Sequence, residues 1–92
     1  MRILIIEDES DAVLFLARGL RQHSFAVDTA EDCHSAIEKA TINPYDLILL
    51  DVMLPDGDGF TLCKHFRSVG LQMPILMLTA RGAVSDRVGG LD

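Results

Sequence analysis

The sequence predicts an α/β protein, a doubly wound parallel sheet with strand order 2-1-3-4. Three observations predict it. Short runs that are apolar at nearly every residue alternate with segments of helical apolar spacing. The connections are short, with capping and breaking residues at the changeovers. The 92 residues, 49% apolar and 24% charged, suit one small core and exclude repeat arrays and multidomain enzymes.

Strands are expected at residues 3–6, 25–27, 47–50 and 75–78. Continuous rather than alternating apolarity, as in Ile3-Leu4-Ile5-Ile6 and Leu47-Ile48-Leu49-Leu50, marks strands buried on both faces of a parallel sheet. Between them, Val13, Leu16, Ala17 and Leu20 form one helical stripe, and Cys33, Ala36, Ile37 and Ala40 a second. Phe60, Cys63 and Phe66, with Leu62, form a third, and Val84, Val88 and Leu91 begin a fourth. Ser10 or Asp11 is placed to cap the first helix and Asp32 the second. Asn43-Pro44 stops the second helix, Gly70 closes the third, and Pro74 opens the fourth strand. The fourth helix carries Gly89-Gly90, costing roughly 1 kcal/mol each against alanine, and the sequence stops at Asp92. A strand-helix unit of about 25–30 residues, the fifth strand and last helix, is therefore expected to be missing. Residues 1–92 are read as one domain, incomplete at its C-terminus.

Fourteen acidic against eight basic residues leave a net charge of −6. Phosphate backbones repel such a surface, so this segment makes no direct nucleic-acid contact. No apolar run approaches the ~20 residues that span a bilayer, and Glu7 and Asp8 interrupt any signal-peptide core. Cys33 and Cys63 read as reduced thiols, which with the missing export signal places the protein in the cytoplasm. Cys33-His34 and Cys63-Lys64-His65 lack the paired spacing of a closed zinc site.

In an open α/β sheet, ligands bind beyond the carboxyl ends of the strands, where the winding direction reverses. The first strand delivers Glu7-Asp8 to that edge, followed by Glu9; the third delivers Asp51 and the fourth Thr79-Ala80. If the first and third strands are neighbours, Glu7, Asp8 and Asp51 meet at the switch point. Carboxylates crowded in a partly dry pocket resist joint ionisation unless a cation joins them. A few carboxylate oxygens plus water suit Mg²⁺, which takes its remaining ligands from phosphate. A carboxylate on a rigid strand end beside Mg²⁺ can act as nucleophile toward a phosphoryl group, with the Thr79 hydroxyl bonding the transferred group. Downstream of Asp51, Pro55 fixes φ, while Gly57 and Gly59 allow positive φ and close backbone approach to a ligand.

These residues resemble the receiver domain of bacterial two-component response regulators, the flavodoxin-like phospho-acceptor module. The likeness runs along the whole chain: Ile3-Leu4-Ile5-Ile6-Glu7-Asp8-Glu9, Asp51-Val52-Met53-Leu54-Pro55 with Gly57 and Gly59, then Leu78-Thr79-Ala80-Arg81. The resemblance implies that Asp51 accepts phosphate from a sensor histidine kinase. It implies that Glu7, Asp8, Asp51 and the Met53 backbone carbonyl bind Mg²⁺, and that Thr79, with Ala80 beside it, forms the switch and phosphoryl-binding position. The run Ser85-Asp86-Arg87-Val88 through Gly90-Leu91-Asp92 further resembles the OmpR/PhoB-type regulators, whose receiver precedes a DNA-binding winged helix. The family lysine at the end of the fifth strand has no counterpart in this chain. Lys39 and Lys64 are not expected to replace it, since both fall on helices with no strand end nearby. The exposed flank of the fourth strand is expected to drive dimerisation or strand swapping, because an unpaired apolar edge is a template for pairing.

Rival chemistries fit less well. A haloacid-dehalogenase-type phosphatase needs a second Asp where Met53 stands; a dinucleotide binder needs glycines where Glu7-Asp8-Glu9 stand; no Glu closes an EF-hand loop. His23, His34 and His65 have no nucleophile to serve and read as surface groups. The expected function is a regulatory switch rather than an enzyme with turnover. The competing reading is a receiver-like interaction module that takes no phosphate.

Overall fold

The structure is a computed structural model that describes residues 1–78; the expected fourth helix, Thr79 and Ala80 lie outside the described residues. The elements in order are β1 (Arg2–Ile6), α1 (Ser10–Gln22), β2 (Ala26–Ala30), α2 (Cys33–Ile42), β3 (Leu47–Asp51), β4 (Met53–Leu54), β5 (Gly57–Asp58), α3 (Gly59–Ser68) and β6 (Ile75–Leu78). The main sheet runs β2-β1-β3-β6, with all three pairings parallel. This is the expected 2-1-3-4 order, β6 being the fourth long strand.

The continuous apolar runs behave as two-faced buried strands. Ile3, Ile5 and Leu49 pack with Ala17 and Val27 on the face that α1 covers. Leu4, Ile6, Ile48 and Leu50 pack on the other face with Ala36, Ala40, Leu62 and Phe66 of α2 and α3. Ile5, Ile6, Ile48 and Leu50 are wholly enclosed, and each contributes roughly 1.5–3 kcal/mol relative to exposure. No helix among the described residues is long and apolar enough to cross a membrane.

Several local expectations are corrected. The second strand extends from Ala26 to Ala30 rather than ending at Val27. Asp28 interrupts its apolar pattern, yet Asp28 is satisfied by Arg2 Nη2 at 2.8 Å and by the Tyr45 hydroxyl at 2.6 Å. The strand therefore pairs with β1 along its full length. Glu9, not Ser10 or Asp11, caps α1, its Oε1 accepting from Ala12 N–H at 2.9 Å. Phe60 leaves the third helical stripe and is 38% exposed. The packed positions of α3 are Gly59, Leu62 and Phe66 with Cys63, a stripe in which position 60 falls one residue off the face.

The segment after Asp51 is not a plain loop. Met53 and Leu54 pair antiparallel with Asp58 and Gly57. Neither Gly57 nor Gly59 takes positive φ, and Gly70 is the described glycine that does, at +89°. Gly59 is required by crowding: a Cβ there would lie 2.4 Å from the Asp51 carbonyl oxygen. Its close approach in the fold is thus to the strand backbone.

Candidate functional site

Each acid reaches the rim through a strand. In the β1–β3 ladder, Ile6 pairs with Leu50, so Glu7 and Asp51 stand side by side one residue further on. Asp8 follows on the turn into α1. One carboxylate oxygen from each of Glu7, Asp8 and Asp51 lies within 4.8 Å of the other two. The topology thus brings together acids far apart in the chain because β1 and β3 are neighbours.

The three differ in surroundings. Asp51 is 3% exposed and is the one buried charged residue among those described. Its Oδ1 has no hydrogen-bond partner among the described residues, a costly state for a buried acceptor. Glu7 is half-buried, and its Oε2 accepts from Glu9 N–H at 3.0 Å, which fixes the turn. Asp8 is exposed.

The electrostatics follow. Burial above all, with the facing Asp51 charge, raises the Glu7 carboxyl to about 7. Burial also raises Asp51, opposed by the Glu7 hydrogen bond and by the N–H groups of Met53 and Val52. The rim therefore favours a protonated carboxyl or a bound cation over three free anions. Three hard oxygens, one of them from the buried Asp51 carboxylate, fit a small divalent cation such as Mg²⁺.

The surrounding residues are placed by local chemistry. Pro55 is at the turn of the β4–β5 hairpin. Asp58 caps α3, accepting from Thr61 N–H at 2.8 Å, and Gly59 N–H donates to the Val52 carbonyl at 2.6 Å. Met53 opens β4 two residues after Asp51, with its side chain outward. Thr79 and Ala80 lie outside the described residues; the last described residue of β6, Leu78, pairs with Asp51.

The expectation that no strand end lies near Lys39 is overturned. Its Nζ donates to the Thr29 carbonyl, one residue before the end of β2. Lys39 also lines, with Glu7, Asp8, Leu14 and Ser35, a groove of about 440 Å³ between α1 and α2. The long apolar stem lets a helical lysine reach the edge strand. Lys64 is exposed on α3, as expected. The burial-raised Cys33 thiol, at about 11, is not a nucleophile near neutrality. Sequence reasoning missed Asp56, whose carboxylate accepts from the N–H groups of Cys33 and His34; a contact across more than twenty residues leaves no local signal.

A parallel sheet that gathers three carboxylates at its switch point defines an α/β module with an acidic centre suited to a divalent cation. Comparison with known proteins identifies the module. The chain belongs to the response regulator receiver domain family, whose model matches residues 3–92. It is 47% identical over 92 residues to the transcriptional regulatory protein TcrA of Mycobacterium tuberculosis, covering all of this chain and 36% of TcrA. It is 42% identical over 92 residues to the transcriptional regulatory protein CusR of Escherichia coli, covering 40% of CusR. The chain thus spans well under half the length of these relatives. Among solved structures, it superposes on the BeF3-activated receiver domain of Klebsiella pneumoniae RstA with a TM-score of 0.86 at 32% identity, covering 99% of this chain and 77% of the other.

Proposed function

We propose that this domain is a phospho-acceptor switch in which Asp51 takes a phosphoryl group from a sensor histidine kinase. One observation carries the reading: a buried carboxylate with an unpartnered oxygen sits at a strand end within 4.8 Å of two further carboxylate oxygens. An Asp51 oxygen attacks the phosphorus of a phosphohistidine; the P–O bond forms as the P–N bond breaks, and the departing imidazole takes a proton from water. Glu7, Asp8, Asp51 and the Met53 carbonyl are the proposed Mg²⁺ ligands. When bound, magnesium neutralises charge that develops on the phosphoryl oxygens. Glu7 releases its proton as the site loads, and the turn held by Glu9 N–H keeps its carboxylate aimed at the rim. Thr79, with Ala80 beside it, is the proposed holder of the transferred group.

The output we propose is transcription through a DNA-binding domain of the OmpR/PhoB type outside this 92-residue segment, in keeping with the names of TcrA and CusR. The proposed setting is the cytoplasm, where the histidine kinase partner and reduced Cys33 and Cys63 fit. Self-association through the side of β6 away from β3 is also proposed, since among the described residues β3 is the one strand that pairs with β6. A monomer in sedimentation at high concentration would overturn it.

The deciding experiment is incubation with Mg²⁺ and acetyl phosphate, followed by intact mass. Uptake of one phosphoryl group that vanishes in Asp51→Asn supports the reading. No uptake by the unsubstituted protein favours an interaction module that does not take phosphate.

A further inference from the structure

We propose that Asp56 is a positioning residue through which α2 sets the β4–β5 hairpin beside Asp51, so that cation binding at the rim depends on this remote contact. The inference rests on the reading of Asp51, Glu7 and Asp8 as a magnesium-dependent phospho-acceptor site.

The hairpin consists of two residue pairs, Met53–Asp58 and Leu54–Gly57, too few to hold a conformation alone. Its position comes from outside ties. At its base, Val52 N–H donates to Leu78 O at 3.0 Å and Gly59 N–H to Val52 O at 2.6 Å. At its tip, the Asp56 carboxylate spans two successive donors of another element: Oδ1 accepts from Cys33 N–H at 2.7 Å and Oδ2 from His34 N–H at 3.1 Å. These hydrogen bonds hold Asp56 below the ordinary carboxylate range, so the tie is charge-assisted.

Helix capping alone does not account for this contact. Asp32 already caps α2, accepting from Ser35 N–H at 2.8 Å. Asp56 takes the two preceding first-turn donors, from a residue more than twenty positions away. The hairpin also rests directly on α2: a Cβ at Gly57 would lie 3.1 Å from Cys33 Sγ. Met53, whose carbonyl is a proposed Mg²⁺ ligand, opens the hairpin two residues after Asp51, and Val52 O between them accepts from Gly59 N–H at the hairpin's far end. A shift of the tip therefore moves the backbone proposed to meet the cation.

The test is a Mg²⁺ titration of the full 92-residue chain by calorimetry, with urea unfolding in parallel, for the unsubstituted protein and three variants. Asp56→Ala should weaken Mg²⁺ binding about tenfold, the scale seen when outer partners of a metal site are lost. Asp56→Asn keeps one acceptor oxygen and should recover part of the affinity. Asp32→Ala removes an equal charge and a cap of the same helix, and should lower stability while leaving Mg²⁺ affinity unchanged. Unaltered affinity in Asp56→Ala, or equal weakening in Asp32→Ala, overturns the inference and leaves the role of Asp51 standing. An unsubstituted protein that neither binds Mg²⁺ nor takes phosphate overturns both, a failure visible without any variant.

Discussion

Glu7 and Asp51 leave neighbouring parallel strands one residue beyond the Ile6–Leu50 pair, and their carboxylate oxygens share a space no wider than 4.8 Å. Two anions cannot both ionise cheaply there, so the pair stores a demand for a proton or a metal ion. That demand makes the rim responsive to pH and to divalent cations.

The pH dependence has a definite sign. Burial first, then Asp51, raises Glu7 from 4.5 to about 7 in the folded protein. A carboxyl with a raised folded value binds its proton more tightly when folded. Its contribution to stability is complete below pH 4.5 and is lost as pH rises to about 7. The urea midpoint without divalent cations is therefore expected to fall from about pH 5 to about pH 7.5. Mg²⁺ should raise it most at the upper end, because the metal binds the ionised form. Glu7→Gln should flatten the decline; a variant that keeps the full slope would assign it elsewhere.

Asp51→Asn should stabilise the metal-free protein near neutrality. The substitution removes the charge of a residue that is 3% exposed and has an unpartnered oxygen. The expected gain is roughly 1 kcal/mol, since the charge is lost while a polar amide stays in the same buried place. Chemical denaturation in EDTA measures it, and a loss of stability would show that Asp51 is better accommodated than its contacts indicate.

Gly59→Ala should be strongly destabilising. The added Cβ would sit 2.4 Å from the Asp51 carbonyl oxygen and 3.0 Å from Met77 Cε. Methionine can move; strand backbone cannot. A cost of about 1–3 kcal/mol is expected from such overpacking, together with weaker Mg²⁺ binding because the displaced backbone belongs to Asp51. Substituting Gly19 serves as the control, since a Cβ there meets nothing within 4 Å.

At the opposite end of the sheet, Tyr45→Phe should cost roughly 1 kcal/mol, the worth of one internal hydrogen bond, and leave Mg²⁺ binding untouched. The buried Tyr45 hydroxyl donates to Asp28 Oδ2 at 2.6 Å, and Arg2 binds the same oxygen at 2.8 Å. The Tyr45 bond, followed by Arg2, lowers the Asp28 carboxyl below its ordinary value. A depressed carboxyl contributes stability above its unfolded value of 3.8 and loses it as pH falls further. Tyr45→Phe should therefore shift acid unfolding to higher pH, measurable by circular dichroism. A change in Mg²⁺ affinity would contradict the separation of the two ends.

The legible and illegible parts divide by range of interaction. Runs such as Ile3-Leu4-Ile5-Ile6 announce buried parallel strands because both faces of each must be apolar. Asp32 and Asn43 mark the ends of α2 because capping involves atoms within a few residues. Ser10 is the better cap by residue type, but the Glu9 side chain reaches Ala12 N–H from one position earlier. The end of β2 was obscured by Asp28, whose partners Arg2 and Tyr45 are distant in the chain.

Taken alone, the order of residues determined the class of fold, the faces of the first two helices and the arrival of Glu7, Asp8 and Asp51 at strand termini. These follow from periodicity and from the one-directional geometry of a crossover-wound sheet. Only the tertiary structure decided that Lys39 reaches the edge of β2, that Gly59 yields to the Asp51 backbone, and that Asp56 ties the hairpin to α2. Each of those depends on how closely two elements pack in space, a distance that neither residue type nor spacing encodes.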